Sequence, residues 1–483
     1  MIKNMVDKFL KKSTVFKYFE KNFKIFENNF KNIENNINQN NSKLEERIEI
    51  LTQENKKLFN QCIELQNQVK VISEENKSIS NRMLSEIKNV NVELLPYNIP
   101  TDKQKILVMG FFGAPNTGDE LMLQSIIDKL DLNNLEVSVM IADNQDFVLN
   151  SNKNLNYIHY PRTHTDLNIL TNYFDKIIFA GGALIDDTQF GNKQTQYTSL
   201  YNLLISFGES IIKKGKKLYL IGLSTANTFT NNDYLEKLNF IAKNAEYFSL
   251  RDTNSIQTLK KYNIDTDKIK VIDDLVFSMP NNINCDEIHD DEFSIGIVFV
   301  NYVDLKVLLK MINDVENFLK NSISCKKKIK LIPFYDFCHA DINKYNEIVN
   351  NYCGDIKIEI VEYESDYIKI SNILRSCNML IGMRYHLSLM GLKLGIPTLH
   401  IVYDVYSHYI NKMNYLLKMF DAEEYKVSLK DYIENESDII FKKLKELYKN
   451  RESISNNTKE ISEKIRSKSQ KECNEIIRLI ENT

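Results

Sequence analysis

The chain has 483 residues, of which 43% are hydrophobic and 26% charged, and its formal net charge at pH 7 is -3. This length exceeds one ordinary domain and supplies apolar residues for more than one core. The near balance of charge excludes a generally basic surface, and with it an electrostatic argument for nucleic-acid binding, so small molecules or sugar polymers are the expected partners.

The seven cysteines stand singly along the chain, without a CxxC pair or a repeated spacing. This pattern favours neither a disulfide framework nor a zinc site, and it fits a reducing compartment. Lysines repeatedly interrupt residues 1–40, so this segment is expected to be neither a signal peptide nor a membrane-spanning helix. We therefore expect a cytoplasmic protein.

A heptad repeat runs through the N-terminal segment 1–88. One position of the heptad is apolar throughout: Phe9, Phe16, Phe23, Phe30, Ile37, Leu44, Leu51, Leu58, Leu65, Ile72 and Ile79. If this is position d, three of the a positions are Asn41, Asn55 and Asn76. Leucine at d with isolated asparagines at a favours a parallel two-stranded coiled coil, because buried amides pair in register. We expect a parallel homodimer over about 37–85; the alternative is one long helix packed on its own globular part.

The first 33 residues differ from the rest of this segment. Phe19, Phe26 and Ile33 add a second apolar row, and lysines outnumber acidic residues. Two interpretations stay open: an amphipathic helix in peripheral contact with the inner face of the cell membrane, or a wider bundle seam with a solvated lysine face. Pro96 and Pro100 indicate a linker over 89–104.

From residue 105 onward, apolar strand-like runs alternate with helical periodicity. The runs are KILVMGFF, EVSVMIA, KIIFAGG, KLYLIGL and YFSL, then, after a polar stretch near 280–292, FSIGIVFV, KIKLIPF, IKIEIVE, NMLIG and PTLHIVY. This order predicts an α/β protein with two Rossmann-like doubly wound domains, at 105–280 and 293–424, joined by a hinge at 281–292. The cleft between them is the expected site, and residues 425–483 are expected to form C-terminal helices.

The turn after the first of these strands reads GFFGAPNTGDEL, residues 110–121. Thr117 and Glu120 match a capping box. Asp119 and Glu120 make the turn acidic, which disfavours a phosphate cradle. With Asn116 they are better suited to binding the hydroxyl groups of an acceptor. Two roles stay open for Asp119. In one, its charge stabilises the N-terminus of the helix; in the other, it orients or deprotonates an acceptor hydroxyl.

Two glycines and three cationic residues follow other predicted strands. Gly181 and Gly182 are expected to allow a tight turn and close approach of substrate. Arg251, Arg384 and His386 stand where doubly wound domains place ligands, and they combine fixed charge with a proton carrier. The structural alternatives are an ion pair of Arg251 with Asp252 or Asp274, and a surface charge for Arg384. A second cluster, Cys338, His339 and Asp341, lacks a metal-ligand spacing, so we predict no metal and no cofactor.

These residues together resemble the polysaccharide pyruvyl transferase family. The resemblance runs from about 106 to 403 and rests on GFFGAPNTGDE, FAGGALIDD, SLRDTNSIQTL, VIDDLVFSM and MRYHLSLMGLKLGIP in this order. It implies a fold similar to glycosyltransferases of the two-Rossmann-domain type (GT-B), and transfer of the enolpyruvyl group of phosphoenolpyruvate to a sugar as a ketal. It further implies that Arg251, Arg384 and His386 contact the donor, with His386 supplying a proton.

The sequence departs from this family pattern after Tyr403 and Asp404. Members often carry a basic residue there, whereas this chain continues VYSHY, so one charge contact is missing or is supplied by His408. The expected acceptor is a lipid-linked or nucleotide-linked precursor of a cell-surface or cell-wall polysaccharide. Two rival functions stay open: a nucleotide-sugar glycosyltransferase, and a non-catalytic coiled-coil scaffold that binds carbohydrate.

Overall fold

The computed structural model divides the chain into two compact units, residues 1–101 and 102–483. The residues that it describes are 103–141, 155–192, 195, 199–281, 291–403, 407–434 and 438–482, together with 21–22, 24–25, 27–29, 31–32, 47 and 57. The described positions of the first unit are helical and exposed. The predicted coiled coil and its three asparagines lie outside the described residues, so the parallel dimer stays a prediction.

Seven parallel strands form the first sheet, in the order β3-β2-β1-β4-β5-β6-β7. They are β1 (Gln104–Met109), β2 (Leu135–Ile141), β3 (Asn156–His159), β4 (Lys176–Ala180), β5 (Lys217–Leu223), β6 (Tyr247–Leu250) and β7 (Lys270–Val271). All five residues of β4 are buried, as expected for a strand covered on both faces of a parallel sheet. The strand order reverses between β1 and β4, which leaves a crevice at their carboxyl ends.

Six parallel strands form the second sheet, in the order β10-β9-β8-β11-β12-β13. They are β8 (Glu292–Val298), β9 (Lys326–Leu331), β10 (Lys357–Ile360), β11 (Met379–Gly382), β12 (Thr398–Val402) and β13 (Lys426–Ser428). Here the order reverses between β8 and β11. The prediction of an α/β chain with two doubly wound Rossmann-like domains is confirmed. The structure also contains three edge strands that the sequence did not predict, β3, β7 and β13.

Helices connect the strands of both sheets. In chain order they are α1 (Thr117–Ile127), α2 (His164–Tyr173), α3 (Leu200–Lys213), α4 (Asn232–Asn244), α5 (Thr253–Lys261), α6 (Leu305–Ser322), α7 (Ala340–Asn351), α8 (Tyr367–Arg375), α9 (Tyr385–Leu394), α10 (Ser407–Met419), α11 (Leu429–Glu434), α12 (Ile439–Lys449) and α13 (Arg451–Asn482). Short 3-10 helices span Leu275–Ser278, Phe337–His339 and Glu423–Tyr425. No helix among the described residues is long and apolar enough to cross a membrane.

The last helix, α13, returns from the second domain to the first. Near its end, the Lys176 ammonium donates to the carbonyl oxygen of Ile480, and the Asp131 N–H donates to Glu481 at 3.0 Å. Midway along α13, Ser462 Oγ donates to the carbonyl of Lys393 in α9 at 2.7 Å. One hydrophobic core accordingly contains residues of both sheets and of α13, so the two domains pack as neighbours across the cleft.

Candidate active site

The acidic turn after β1 folds differently from the capping box that its sequence predicts. Helix α1 begins at Thr117, and Asn116 is its N-cap, with Oδ1 accepting from the Gly118 N–H at 3.2 Å. The Thr117 hydroxyl instead donates to the carbonyl of Glu364 in the second domain at 3.0 Å. The capping-box prediction is therefore wrong, because Asn116 occupies the cap position and draws Thr117 into the first helical turn.

Glu120, the other residue of the predicted box, lies beneath the turn. It is 2% exposed, and its Oε1 accepts from the Gly113 N–H at 2.8 Å. Burial raises the pKa of Glu120 to about 8, although the Gly113 hydrogen bond acts against this increase. The structure thus gives Glu120 a partner within the turn; its predicted contact with substrate stays untested.

The same turn joins the two domains. The Thr117 N–H donates to the Phe334 carbonyl at 3.0 Å, and the Asp336 N–H donates to the Pro115 carbonyl at 2.8 Å. Asn116 and Tyr335 form an isolated antiparallel bridge between these bonds. Backbone pairing therefore fixes the start of α1 against the loop that follows β9.

The glycines after β4 place that strand's end against α1. Gly181 and Gly182 have φ angles of +66° and +80°, which glycine adopts without strain. A Cβ on Gly181 would lie 2.4 Å from Met122 Sδ, and one on Gly182 would lie 3.8 Å from Asp119 Oδ1. The crevice at the switch point of the first sheet therefore opens directly beside Asp119.

Arg251 follows β6 and is only 4% exposed. Its Nη1 donates to Asp274 Oδ2 at 2.7 Å, and its Nε donates to Ser224 Oγ at 2.9 Å. Of the two ion pairs considered for Arg251, the structure forms the one with Asp274. Asp252 instead caps α5, by accepting from the Ser255 N–H at 2.7 Å.

His386 stands in the first turn of α9 and reaches the first domain. Its side chain is 13% exposed, and Nε2 lies 3.8 Å from Asp274 Oδ2. A Cβ built on Gly118 would lie 1.8 Å from His386 Nδ1, so the ring packs on the backbone of α1. Burial alone would raise the pKa of Asp274, but His386 and Arg251 hold it well below its ordinary value.

Asp119 stands next to Gly118 and is half-buried. Burial raises its pKa, while the charges of His386, Arg251 and Lys412 act in the opposite direction. These four residues come from α1, α9, α10 and the loop after β6, so they represent both domains. A carboxyl with a raised pKa in the same site as a histidine is an arrangement suited to proton transfer.

Lys412 is a further residue of the site, and the sequence does not predict it because it belongs to no motif. It belongs to α10, and its ammonium lies 4.6 Å from the centre of the Tyr385 ring. With Ser224, Thr225 and Asp252 it lines a small pocket beside the site. Burial, followed by the charge of Arg251, lowers the pKa of Lys412 to about 7. The sequence lacks the basic residue expected directly after Tyr403, and Lys412 supplies a basic group to the site from a position nine residues further along the chain. The side chain of His408, the other candidate, lies outside the described residues.

Arg384 follows β11 and is the N-cap residue of α9. Its Nη2 donates to Asp341 Oδ1 at 2.6 Å, its side chain is 19% exposed, and its guanidinium lies 5.5 Å from the centre of the Tyr335 ring. Arg384 is thus a paired residue of the second domain with part of its surface still accessible. Among the residues that the structure describes, no hydrogen bond joins Arg384 to His386.

Cys338, His339 and Asp341 lie in different environments. Cys338 and His339 are exposed and have positive φ angles of 52° and 56°, whereas Asp341 is fully buried against Arg384. Burial raises the pKa of Asp341, and the charge of Arg384 opposes this. Within the described part of the chain, no group of three or more His, Cys, Asp or Glu residues is arranged to hold a metal ion.

Comparison with known proteins gives one family match. A family model described as polysaccharide pyruvyl transferase matches residues 116–405. A search of curated proteins gives no significant match. The matched range includes Asp119, Arg251, Arg384 and His386, whereas Lys412 lies beyond it.

Several solved structures are similar at low identity. UDP-GlcNAc 2-epimerase from Methanocaldococcus jannaschii is 12% identical with a TM-score of 0.46, over 71% of this chain and 92% of that one. The spinosyn rhamnosyltransferase SpnG complexed with thymidine diphosphate is 8% identical with a TM-score of 0.45, over 78% and 100%. An α,α-trehalose-phosphate synthase (UDP-forming) from Burkholderia vietnamiensis is 9% identical with a TM-score of 0.44, over 78% and 99%.

Proposed function

The chain belongs to the polysaccharide pyruvyl transferase family, and on that premise we propose that this transferase moves the pyruvyl group of phosphoenolpyruvate onto a sugar of a polysaccharide precursor. The observation that carries the proposal is the packing of His386, from the second domain, on the first turn of α1, which bears Asp119. A proton donor and a proton acceptor thereby approach one cleft from opposite sides.

The donor carries a phosphate and a carboxylate, and both require cations. Lys412 and Arg384 are the proposed contacts, because each retains accessible surface. Arg251 is proposed as a positioning residue, since Asp274 and Ser224 already occupy two of its nitrogens. Arg251 thereby holds Asp274 in place, with Asp274 Oδ2 3.8 Å from His386 Nε2.

The proposed reaction forms two C–O bonds and breaks one. One acceptor hydroxyl adds to C2 of the enolpyruvyl group and loses its proton to Asp119, while His386 protonates C3, so that the methylene becomes a methyl group. A second hydroxyl of the same sugar then attacks C2, and the bond from C2 to the phosphate oxygen breaks. The phosphate leaves with the second hydroxyl's proton, and the proton on Asp119 returns through solvent to His386. The products are the ketal and inorganic phosphate.

The acceptor is proposed to be a lipid-linked or nucleotide-linked saccharide. We further propose that the N-terminal heptad repeat forms a parallel homodimer. For residues 1–33, contact with the inner face of the cell membrane and a wider bundle seam both stay open. Sedimentation of the full chain tests the dimer. Replacing Asn55 and Asn76 with Leu would strengthen association and admit higher oligomers, because the buried amides no longer fix the register.

Separate incubations with phosphoenolpyruvate and with nucleotide sugars, each with the same panel of acceptors, test the proposed reaction. Phosphate release together with a pyruvate ketal on the acceptor is the expected result. Release of nucleotide without any ketal would instead establish the glycosyltransferase alternative. His386→Ala is expected to abolish turnover, whereas the surface change Asn244→Ala provides a control that leaves it unchanged.

A further inference from the structure

A second cleft lies at the amino ends of the strands of the second sheet, whereas the candidate active site lies at their carboxyl ends. It is enclosed by the start of β8, the turns that precede β11 and β12, the end of α8 and the first turns of α13. Its volume is about 550 Å³, which is in the range of small-molecule sites. We call it the amino-end cleft.

The charged residues of the amino-end cleft are mostly cationic. Arg375, Arg451 and Lys459 line it against a single acid, Glu452, so three positive charges face one negative charge. Glu452 lies 3.6 Å from Arg451, whereas Arg375 and Lys459 form no ion pair with any residue that the structure describes. Arg375 Nη2 donates to the carbonyl of Asn281 at 2.6 Å, and its buried Nε has no described partner. Unpaired cations with unused N–H groups favour an anionic ligand.

Two further lysines add positive charge around the amino-end cleft. Lys330 Nζ donates to Ser376 Oγ at 2.8 Å and has no acidic partner in the described part of the chain. Lys393 stands at the end of α9, and its pKa is lowered to about 7, first by burial and then by the charge of Arg466, with a smaller contribution from Arg375. A bound anion would reduce the repulsion among these like charges.

Much of the remaining lining is apolar, and it consists of Phe293, Leu394, Ile396 and Pro397. Inorganic phosphate would leave these side chains in water, whereas a neutral apolar molecule would leave the cations unpaired. The lining therefore favours an anionic group that is attached to a ring. A nucleoside phosphate combines the two, and the exposed amide of Asn456 can hydrogen-bond a base or a ribose.

We propose that the amino-end cleft binds a small organic phosphate of the nucleoside phosphate class. Helix α9 separates this site from the candidate active site, because His386 stands in its first turn and Leu394, its last residue, lines the cleft. A helix of ten residues is about 15 Å long. The ligand thus contacts the helix that carries His386 without reaching the reacting groups, and the inference does not depend on the proposed function.

Isothermal titration calorimetry of the full-length protein tests the site. The probes are UDP and ADP, together with uridine, adenosine and inorganic phosphate as their separate parts, each measured with and without excess phosphoenolpyruvate. At least one diphosphate is expected to bind more tightly than its separate parts, and phosphoenolpyruvate is not expected to displace it. Lys459→Glu is expected to weaken this binding about tenfold or more, because it places a negative charge beside the phosphates.

Lys471→Glu is the matched control, since Lys471 is exposed on the same helix and does not line the cleft. Arg375→Lys keeps the charge and is expected to bind the nucleotide more tightly than Arg375→Met, with a thermal melt to verify folding of each variant. The inference is overturned if neither diphosphate exceeds its parts, or if Lys459→Glu binds like the control. Displacement by phosphoenolpyruvate would also overturn it, by placing the nucleotide in the cleft between the domains. Since these titrations contain no acceptor, their outcome is independent of the assay for pyruvyl transfer.

Discussion

His386 of the second domain packs so closely on Gly118 of the first that a Cβ at position 118 would lie 1.8 Å from His386 Nδ1. No side chain other than hydrogen fits there while the ring keeps its place. The glycine of the NTGDE stretch thus determines how near the histidine can come to Asp119, and the two domains define the site jointly.

Gly118→Ala is expected to lower kcat/KM by about a hundredfold, because displacement of a catalytic group by about 1 Å has effects of that size. The measurement is ketal formation under steady-state conditions, alongside a thermal melt to verify folding. Gly191→Ala is the control. Gly191 has a φ of +82°, and a Cβ added there would have no atom within 4 Å, so this variant measures the effect of backbone strain in the absence of a steric clash. Full activity of Gly118→Ala would show that the contact has no role in catalysis.

Asp274→Asn is expected to destabilise the protein by about 3–5 kcal/mol, since it leaves the charge of Arg251 buried without its partner. The Arg251 and Asp274 side chains are only 3% and 1% exposed. Urea unfolding monitored by circular dichroism measures the loss. Asp233→Asn removes the partner of Lys237 on the surface of α4 and should cost about 1 kcal/mol or less. Equal losses in the two variants would argue against an energetic role for the buried pair.

The affinity for phosphoenolpyruvate should decrease as the pH rises through about 7. Burial lowers the pKa of Lys412 to about 7, so its cationic form is present below that pH and is lost above it. The Michaelis constant for the donor, measured from pH 6 to pH 8, should therefore increase. Lys412→Arg keeps the charge and should flatten this profile relative to the wild type, whereas Lys418→Arg, an exposed change on the same helix, should leave it unaltered. Parallel profiles for all three proteins would exclude Lys412 from donor binding.

Lys393 should make the folded state more stable as pH increases from about 7 to 10.5. Its ammonium is buried at the end of α9 and donates to the carbonyls of Phe277 and Met279, and burial lowers its pKa to about 7. Between the folded value and the unfolded value of 10.5, the unfolded state binds more protons, so the free energy of unfolding rises with pH. The change is on the order of a few kcal/mol. Lys393→Met should reduce this slope in urea titrations; an unchanged slope would place its origin elsewhere.

The sequence predicts the fold well because buried parallel strands are continuous apolar runs, and each of the ten runs identified contains a strand. The strands that it did not predict, β3, β7 and β13, are edge strands of four, two and three residues, too short to show a period. Arg251 and His386 were recognised because they follow strand ends. Lys412 was not, because only the packing of α10 brings it to the site. Likewise, the partner of the Thr117 hydroxyl lies 247 residues away, so no local motif indicates it.

The central claim is that His386 delivers a proton to the donor's methylene carbon while the acceptor attacks C2. Mass spectrometry of the product formed from phosphoenolpyruvate in deuterated water tests this most directly. The account predicts a ketal whose methyl group carries one solvent deuteron, formed together with inorganic phosphate by the wild type, and no ketal from His386→Ala. A deuterated ketal formed at the wild-type rate by His386→Ala, or nucleotide release from a nucleotide sugar with no ketal from phosphoenolpyruvate, would contradict it.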